Sequence, residues 1–346
     1  EENKAIFKKR IKNYFIKDCH GDLLTGNIVV RENDICIFDC IEFNKRFRYS
    51  DIASDIGFLA MDLDYQGRLY LSSYLVRKYI EKSSDFGIYD VLNFYKSYRA
   101  YVRGKVTGFR LDDSNIDDEE KKQVIKTAKK YFDLSNYYSK LTEYLLDKKD
   151  RQVLFMTSGL TGTGKTTVAN KISVDFRAKK ISTDEVRKDM IGIDKYERHH
   201  DAYNTGLYSP EKMKETYHKI IEKGKKELSK NNNVVLDATF KSRDLREKAK
   251  KIAETTNSSF LILNTVCPEK IVKKYLKERV KKKSISDGRW EIYVKQKDSF
   301  EYLKEDEKFV EIDISNKSFE YQIDKFIQII DNISQWMVVL IENWKL

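Results

Sequence analysis

Proline and cysteine are scarce in this chain: among 346 residues there are 2 Pro, 4 Cys and 14 Gly. So little proline and no biased tract exclude a collagenous or linker-rich protein, and 40% hydrophobic with 35% charged residues argues against long disorder. The cysteines (Cys19, Cys36, Cys40, Cys267) form no C-x-x-C pair, which argues against a disulfide framework or a zinc knuckle. Cys19, Cys36 and Cys40, which with His20 could cluster as a zinc site, are expected instead to be buried strand residues acting as small hydrophobes. No apolar run approaches the roughly 18 residues that span a bilayer, and EENKAIFKKR at the start lacks the apolar core of a signal peptide. The expectation is a soluble, cytoplasmic protein with no membrane partner. Its first residue, Glu1, is not Met, so the chain is expected to be a processed form or a fragment.

What is present is charge. Lys plus Arg number 66 against 55 Asp plus Glu, a net of +11. Residues 1–150 carry 27 basic and 25 acidic side chains, so 39 basic and 30 acidic ones, a net of +9, fall in 151–346. The stretch Lys270 to Lys283 alone holds eight basic residues. Such a face binds phosphates or nucleic acid, or is simply a solvated helix.

Periodicity divides the chain at about the polar stretch 146–151, giving domains 1–148 and 149–346. In the first, 5–16 reads as a helix and ICIFDC (35–40) as a short strand, and from Asp51 to about Tyr144 the pattern is helical, interrupted by DDSNIDDEE (112–120). In the second, VLFMTS (153–158), NVVLDATF (233–240) and LILNTV (261–266) read as strands between helices. Alternating strands and helices predict an α/β fold with a doubly wound parallel sheet. Apolar residues from Ile323 to Trp344 recur by threes and fours as one long helical stripe, too short at its end (333–346) to span a membrane.

GLTGTGKT, Gly159 to Thr166, matches G-x-x-x-x-G-K-[ST] between a predicted strand and a predicted helix. Here the nucleotide-binding candidates are Gly159, Thr161, Gly162, Thr163, Gly164, Lys165, Thr166 and Thr167. Glycines let successive N–H groups converge on a phosphate at the positive end of a helix. Lys165 then reaches the β- and γ-phosphates of ATP and the Thr166 hydroxyl ligates Mg²⁺. In ISTDEVRK (181–188), Asp184 is the candidate base for an attacking hydroxyl and Arg187 the candidate substrate holder. Alternatively, Thr183 or Asp184 caps the following helix. Asp237, at the end of VVLD, is placed as the acid that orients Mg²⁺ and its waters, or else caps a turn. Arg243, Arg246 and the basic helix around Arg279 are candidates for a lid that neutralises transition-state charge.

Together these segments, with S-D-G-R-W at 286–290, resemble the small P-loop kinases that include gluconate kinase-like, zeta toxin-like and polynucleotide 5′-hydroxyl kinase-like proteins. The resemblance covers about 151–330 and implies ATP-dependent phosphoryl transfer without fixing the acceptor.

CHGDLLTGNIVV (19–30), followed by CIFDCIEF, is similar to the catalytic loop and metal-binding strand of the aminoglycoside phosphotransferase and choline kinase family, a protein-kinase-like fold. Asp22 then matches the catalytic base, Asn27 a Mg²⁺ ligand and Asp39 the second metal-ligating Asp, with His20 bracing the loop. Glu42, Arg48, Asp51, Asp55 and YKSYRAYVRGKV (95–106) resemble the phosphotransferase half of bacterial two-domain proteins that join such a domain to a P-loop kinase. Leu24 departs from the second His that family members usually carry. Only 21 residues precede Asp22, too few for a donor-binding N-lobe, so this half is expected to be a mainly helical C-lobe that does not transfer phosphate by itself.

His199 and His200 point to different helix faces without a third ligand at usable spacing, and read as a polar loop. The leading expectation is a Mg²⁺-dependent kinase acting on a small-molecule hydroxyl, with Lys165, Asp184, Arg187 and Arg279 catalytic and Thr166 and Asp237 on the metal. Alternatives are a polynucleotide 5′-hydroxyl kinase with nucleic acid as partner, and a non-catalytic nucleotide-dependent switch joined to a scaffold.

Overall fold

A computed structural model of the chain describes residues 3–32, 34–147, 152–192, 206, 209–280 and 288–342, with side chains for those outside 279–280 and 335–342 and excepting Asp147. The chain divides into two units, 1–147 with 318–327, and 148–317 with 328–346. The sequence reading placed the whole tail in the second domain; residues 318–327 group instead with the first.

In the first unit, α1 (Lys4–Lys12) leads to β1 (Ile16–Asp18), then to the antiparallel hairpin of β2 (Ile28–Val30) and β3 (Ile35–Ile37). After α2 (Lys45–Arg48), β4 (Tyr49–Asp51) pairs antiparallel with β1, Ile16 opposite Asp51. Four helices follow: α3 (Ile52–Tyr65), α4 (Leu69–Ser83), α5 (Leu92–Gly108) and α6 (Asp118–Asp147). Asp51 starts α3, its carboxylate accepting from Ala53 N at 3.0 Å. Apolar residues at helical spacing, such as Phe58, Met61, Val76, Leu92, Leu134 and Leu141, are buried. Arg10 from α1 closes the unit: buried, it reaches Asp51 (2.8 Å) and Asp85 (2.9 Å) at once. Phe319 and Phe326 pack here, with ring centroids 5.8 Å from Tyr65 and 6.1 Å from Tyr137. Sequence reading overlooked β1 and β4, which are three residues each and lack a run long enough to register as strands. It also misjudged two cysteines: Cys36 and Cys40 are exposed, because both faces of β3 are open in this unit.

The second unit is α/β. Its elements are β5 (Val153–Ser158), α7 (Lys165–Asp175), β6 (Lys179–Ser182), α8 (Thr183–Asp189), α9 (Pro210–Leu228), β7 (Val234–Asp237), α10 (Arg243–Thr255), β8 (Ser259–Val266), α11 (Glu269–Val280), α12 (Trp290–Asp298) and β9 (Phe309–Asp313), with α13 (Phe319–Glu342) following. The five strands form one parallel sheet in the order β6-β7-β5-β8-β9. Leu154, Met156, Val234 and Leu236 join Ile220 of α9 and Ile252 of α10 in one core. On the opposite face of β5, Phe155 meets Phe176, just past α7, edge to face at 5.0 Å. A strand covered on both faces has no solvent side, which is why β5 is buried throughout and its first four residues, Val153 to Met156, read as an unbroken apolar run.

Strand order locates the site. The connection from β5 runs toward β6, whereas that from β7 runs toward β8 on the other side of β5. Neighbouring strands whose connections diverge leave a crevice at their carboxyl ends, where ligands bind in such sheets. Here those ends are Ser158 with the glycine-rich loop, and Asp237.

Candidate active site

The loop at 159–164 is shaped by contacts that only glycine permits. Gly159 has φ +137°, and a Cβ there would lie 2.4 Å from the Thr265 carbonyl oxygen at the end of β8. Gly164 has φ +89° and caps α7 in the left-handed conformation. Gly159 N donates to Thr239 O at 3.3 Å, which ties the loop to the segment after β7. Thr163 turns its hydroxyl into the protein, 2.8 Å from Leu160 O and 2.7 Å from the Thr265 hydroxyl, so it supports the loop. Lys165 Nζ donates to Leu160 O at 2.7 Å, folding the ammonium back over its own loop.

Asp237, 4% exposed, lies in the crevice. Burial pushes its carboxyl pKa up and the charge of Asp184 adds to this, while Lys180, a hydrogen bond from Thr166 and Lys165 pull it down. Its Oδ2 is buried with no hydrogen-bond partner. A desolvated carboxylate oxygen costs free energy unless something completes it. Beside a threonine hydroxyl at a helix N-terminus, a hard divalent cation is the group that oxygen donors of this kind hold. Asp237 and Thr166 therefore fit Mg²⁺, as their sequence positions imply.

A cavity of about 600 Å³ opens over these residues, lined by the loop, by Asp184 and Arg187 of α8, and by parts of α9, α10 and α12. Its size suits small molecules. Arg187, 5% exposed, reaches Asp184 Oδ1 at 3.1 Å and the Met213 sulfur at 3.5 Å. Ser182 occupies the N-cap position of α8, so neither Thr183 nor Asp184 caps it. Asp184 is left to face the cavity. Tyr217 accepts from Phe240 N at 3.1 Å, and burial pushes its phenol pKa up to about 12.

The arginine lid expected from sequence is corrected in part. Arg246 is a core residue, 2% exposed, donating to Glu307 at 2.6 and 3.0 Å and to the Phe240 and Glu301 carbonyls. Arg243 pairs with Asp306 and does not line the cavity. Arg279 lies in α11 with its side chain outside the described residues, as are residues 281–287 of the basic stretch and His199 and His200.

Sequence reasoning missed Gln296, whose Oε1 accepts from Thr161 N at 2.9 Å. It also missed Lys214, Lys241 and Tyr217, which line the cavity. Each comes from a helix or loop remote in sequence and belongs to no motif.

In the first unit, Asn27 Nδ2 donates to Asp22 O at 2.9 Å and to Asp22 Oδ2 at 3.4 Å. His20 braces the loop, its Nε2 2.8 Å from Phe38 O and its Nδ1 accepting from Asp22 N at 3.3 Å. Asp55 fixes the turn by accepting from His20 N (2.7 Å) and Gly21 N (3.0 Å). Asp39, one residue past Phe38, is exposed with φ +62°. Asp22 and Asn27 are thus brought together, on a loop whose neighbouring hairpin is open to solvent.

Residues 154–303 match a family model described as an AAA domain. The chain is 30% identical over 257 residues to an uncharacterized protein of Mycobacterium tuberculosis (strain ATCC 25618 / H37Rv), an alignment covering 74% of this chain and 49% of that protein. It spans about half the length of the curated relatives it matches. Among solved structures, an unliganded sugar kinase from Janibacter sp. HTCC2649 is similar at 16% identity with a TM-score of 0.39, covering 53% of this chain and 95% of that one. A gluconokinase from Sinorhizobium meliloti 1021 is similar at 15% identity with a TM-score of 0.36, covering 55% and 97%. Among the described residues no helix is long and apolar enough to cross a membrane.

Proposed function

We propose that the second unit is an ATP-dependent kinase that transfers the γ-phosphoryl group to a hydroxyl of a small molecule. The observation carrying this reading is Asp237: a buried carboxylate with one unpartnered oxygen, lining the same cavity as Thr166 at the start of α7, at the carboxyl edge of a parallel sheet. Thr166 and Asp237 would hold Mg²⁺, which when bound neutralises charge on the β- and γ-phosphate oxygens.

In this reading the loop amides and the dipole of α7 bind the triphosphate, and Lys165 leaves Leu160 O for the β- and γ-phosphate oxygens. Asp184, held by Arg187, accepts the proton of the acceptor hydroxyl as its oxygen bonds to the γ-phosphorus. The bond from that phosphorus to the bridging oxygen breaks, and ADP leaves with the electron pair. Residues 1–147 with 318–327 are proposed as an aminoglycoside phosphotransferase-like module and 148–317 with 328–346 as the kinase. Lys165→Ala should cut ATP turnover by about a thousandfold, the scale of one preorganised donor on developing charge. Full turnover in that variant, measured as ADP release, would sink the assignment.

A further inference from the structure

The segment YKSYRAYVRGKV (95–106) has no part in the kinase reading, yet it brings two cations to the loop that carries Asp22. Arg99 and Arg103 are four residues apart on α5 and so share one face of the helix. Arg99 Nε donates to the Ser54 hydroxyl of α3 at 3.0 Å, and its guanidinium lies over the Phe58 ring, 4.7 Å from the centroid. Ser54 precedes Asp55, which holds the amides of His20 and Gly21 just ahead of Asp22. Arg103 lies over the ring of Tyr131 from α6 at 5.7 Å, and its Nε is buried with no hydrogen-bond partner. Both residues are partly exposed, so a solute can reach them.

The neighbouring carboxylates are engaged elsewhere. Asp55 accepts from His20 N (2.7 Å) on one oxygen and from Gly21 N (3.0 Å) on the other, and Asp62 Oδ2 accepts from Thr25 N (3.0 Å) and Gln66 Nε2 (3.1 Å). Asp22 Oδ2 accepts from Asn27 Nδ2 at 3.4 Å. Among the described residues neither arginine has a carboxylate at ion-pair distance, whereas Arg10 of the same unit has two. Burial lowers the Arg99 pKa by more than the charges of Asp55, Tyr98, Asp22 and Cys19 raise it. An arginine stacked on a ring keeps the edge of its planar fork for a bidentate oxyanion. Two such forks carry two charges, which a phosphate group, close to doubly ionised at neutral pH, balances and a single carboxylate does not.

We propose that Arg99 and Arg103 form a binding site in the first unit for the phosphate group of a small molecule, beside the loop that carries Asp22. Its ligand is then an anion, whereas aminoglycosides and choline are cations. Inorganic phosphate is titrated calorimetrically into the full chain with and without Mg²⁺ and a saturating non-hydrolysable ATP analogue, which separates this site from the glycine-rich loop. One phosphate site should persist beside the analogue, weakened about tenfold by Arg99→Gln and by Arg103→Gln, with analogue affinity unchanged. Should the analogue not bind, the kinase reading falls and the same two variants still decide this site. Arg99→Met keeps an apolar stem on Phe58, so it should melt no lower than the parent without phosphate and still weaken the site. Glycerol 3-phosphate binding as tightly as inorganic phosphate, or more so, identifies an ester as the ligand, and weaker binding identifies the free ion. No phosphate site, or one unchanged in both Gln variants, overturns the proposal. Malonate or the aminoglycoside kanamycin binding there more tightly than phosphate overturns it as well.

Discussion

Both units carry candidate metal-binding carboxylates, yet these sit in different media. Asp237 is 4% exposed in a crevice between diverging strands, whereas Asp39 is exposed beside a hairpin of which β3 is open on both faces. Two unit charges 4 Å apart interact by about 1 kcal/mol in water and about 4 kcal/mol at the effective dielectric near a protein surface. On the proposed kinase reading, the same residue types would therefore hold a metal phosphate more firmly in the crevice than on the hairpin. Against the thousandfold loss for Lys165→Ala, Asp22→Asn and Asp39→Asn should leave ADP release by this chain within about twofold. A loss from Asp22→Asn as large as that from Lys165→Ala would break the comparison.

A buried arginine away from the cavity also braces each unit, and these two should separate the units energetically. Arg246 pairs with Glu307 alone, and Arg10 with both Asp51 and Asp85. Removing one partner of a buried pair costs about 3–5 kcal/mol, because a charge is left desolvated. Arg10→Ala strands two carboxylates and should cost more than Arg246→Ala. Hydrogen exchange read by peptide should show Arg10→Ala deprotecting α3 and α5 with nucleotide affinity kept. Arg246→Ala should deprotect α10 and weaken nucleotide binding. Loss of nucleotide affinity in Arg10→Ala would show that the two units do not fold independently.

Much of the second unit was legible because local and global signals agree there. VLFMTS opens on four apolar residues and is buried throughout since both faces of β5 are covered, and the loop after it needs glycine at Gly159 and Gly164 for steric reasons that leave a spelling in the sequence. β6 and β9 were not read as strands. The polar residues Lys179, Lys180 and Glu311 interrupt the apolar pattern on the edges of the sheet. Arg246 was read as a lid because helix position alone does not say that Glu307, 61 residues away, will bury it. Lys214, Lys241 and Gln296 were invisible for the same reason: the cavity gathers them from separate elements.

Asp237 supplies a pH test of the buried site. Folding raises its pKa, so its contribution to stability is fully present below the unfolded value and is lost as pH rises through the folded one. At neutral pH the ligand-free chain carries an uncompensated ionisation cost. Asp237→Asn should therefore raise the melting temperature without nucleotide at pH 7–8, by about 1 kcal/mol of stability, and lose that gain toward pH 4. The same variant should lose the stabilisation that Mg²⁺ with an ATP analogue gives the parent. A variant less stable at neutral pH and still stabilised by Mg²⁺ and the analogue would move the metal elsewhere.

The smallest effect concerns how the loop is held before ligand arrives. Gln296 of α12 takes the Thr161 amide proton, while Leu160 packs with Tyr293 and Phe300. Removing the carboxamide leaves that apolar contact, so Gln296→Ala costs only one hydrogen bond, about 1 kcal/mol, read as roughly fivefold weaker nucleotide binding. Gln296→Glu separates the causes. It keeps an oxygen for Thr161 N but adds a negative charge near the triphosphate, so its deficit should shrink as added salt screens the repulsion. The Ala deficit should not. Equal salt dependence in both variants would mean that Gln296 acts on the charge of the nucleotide and not on the shape of the loop.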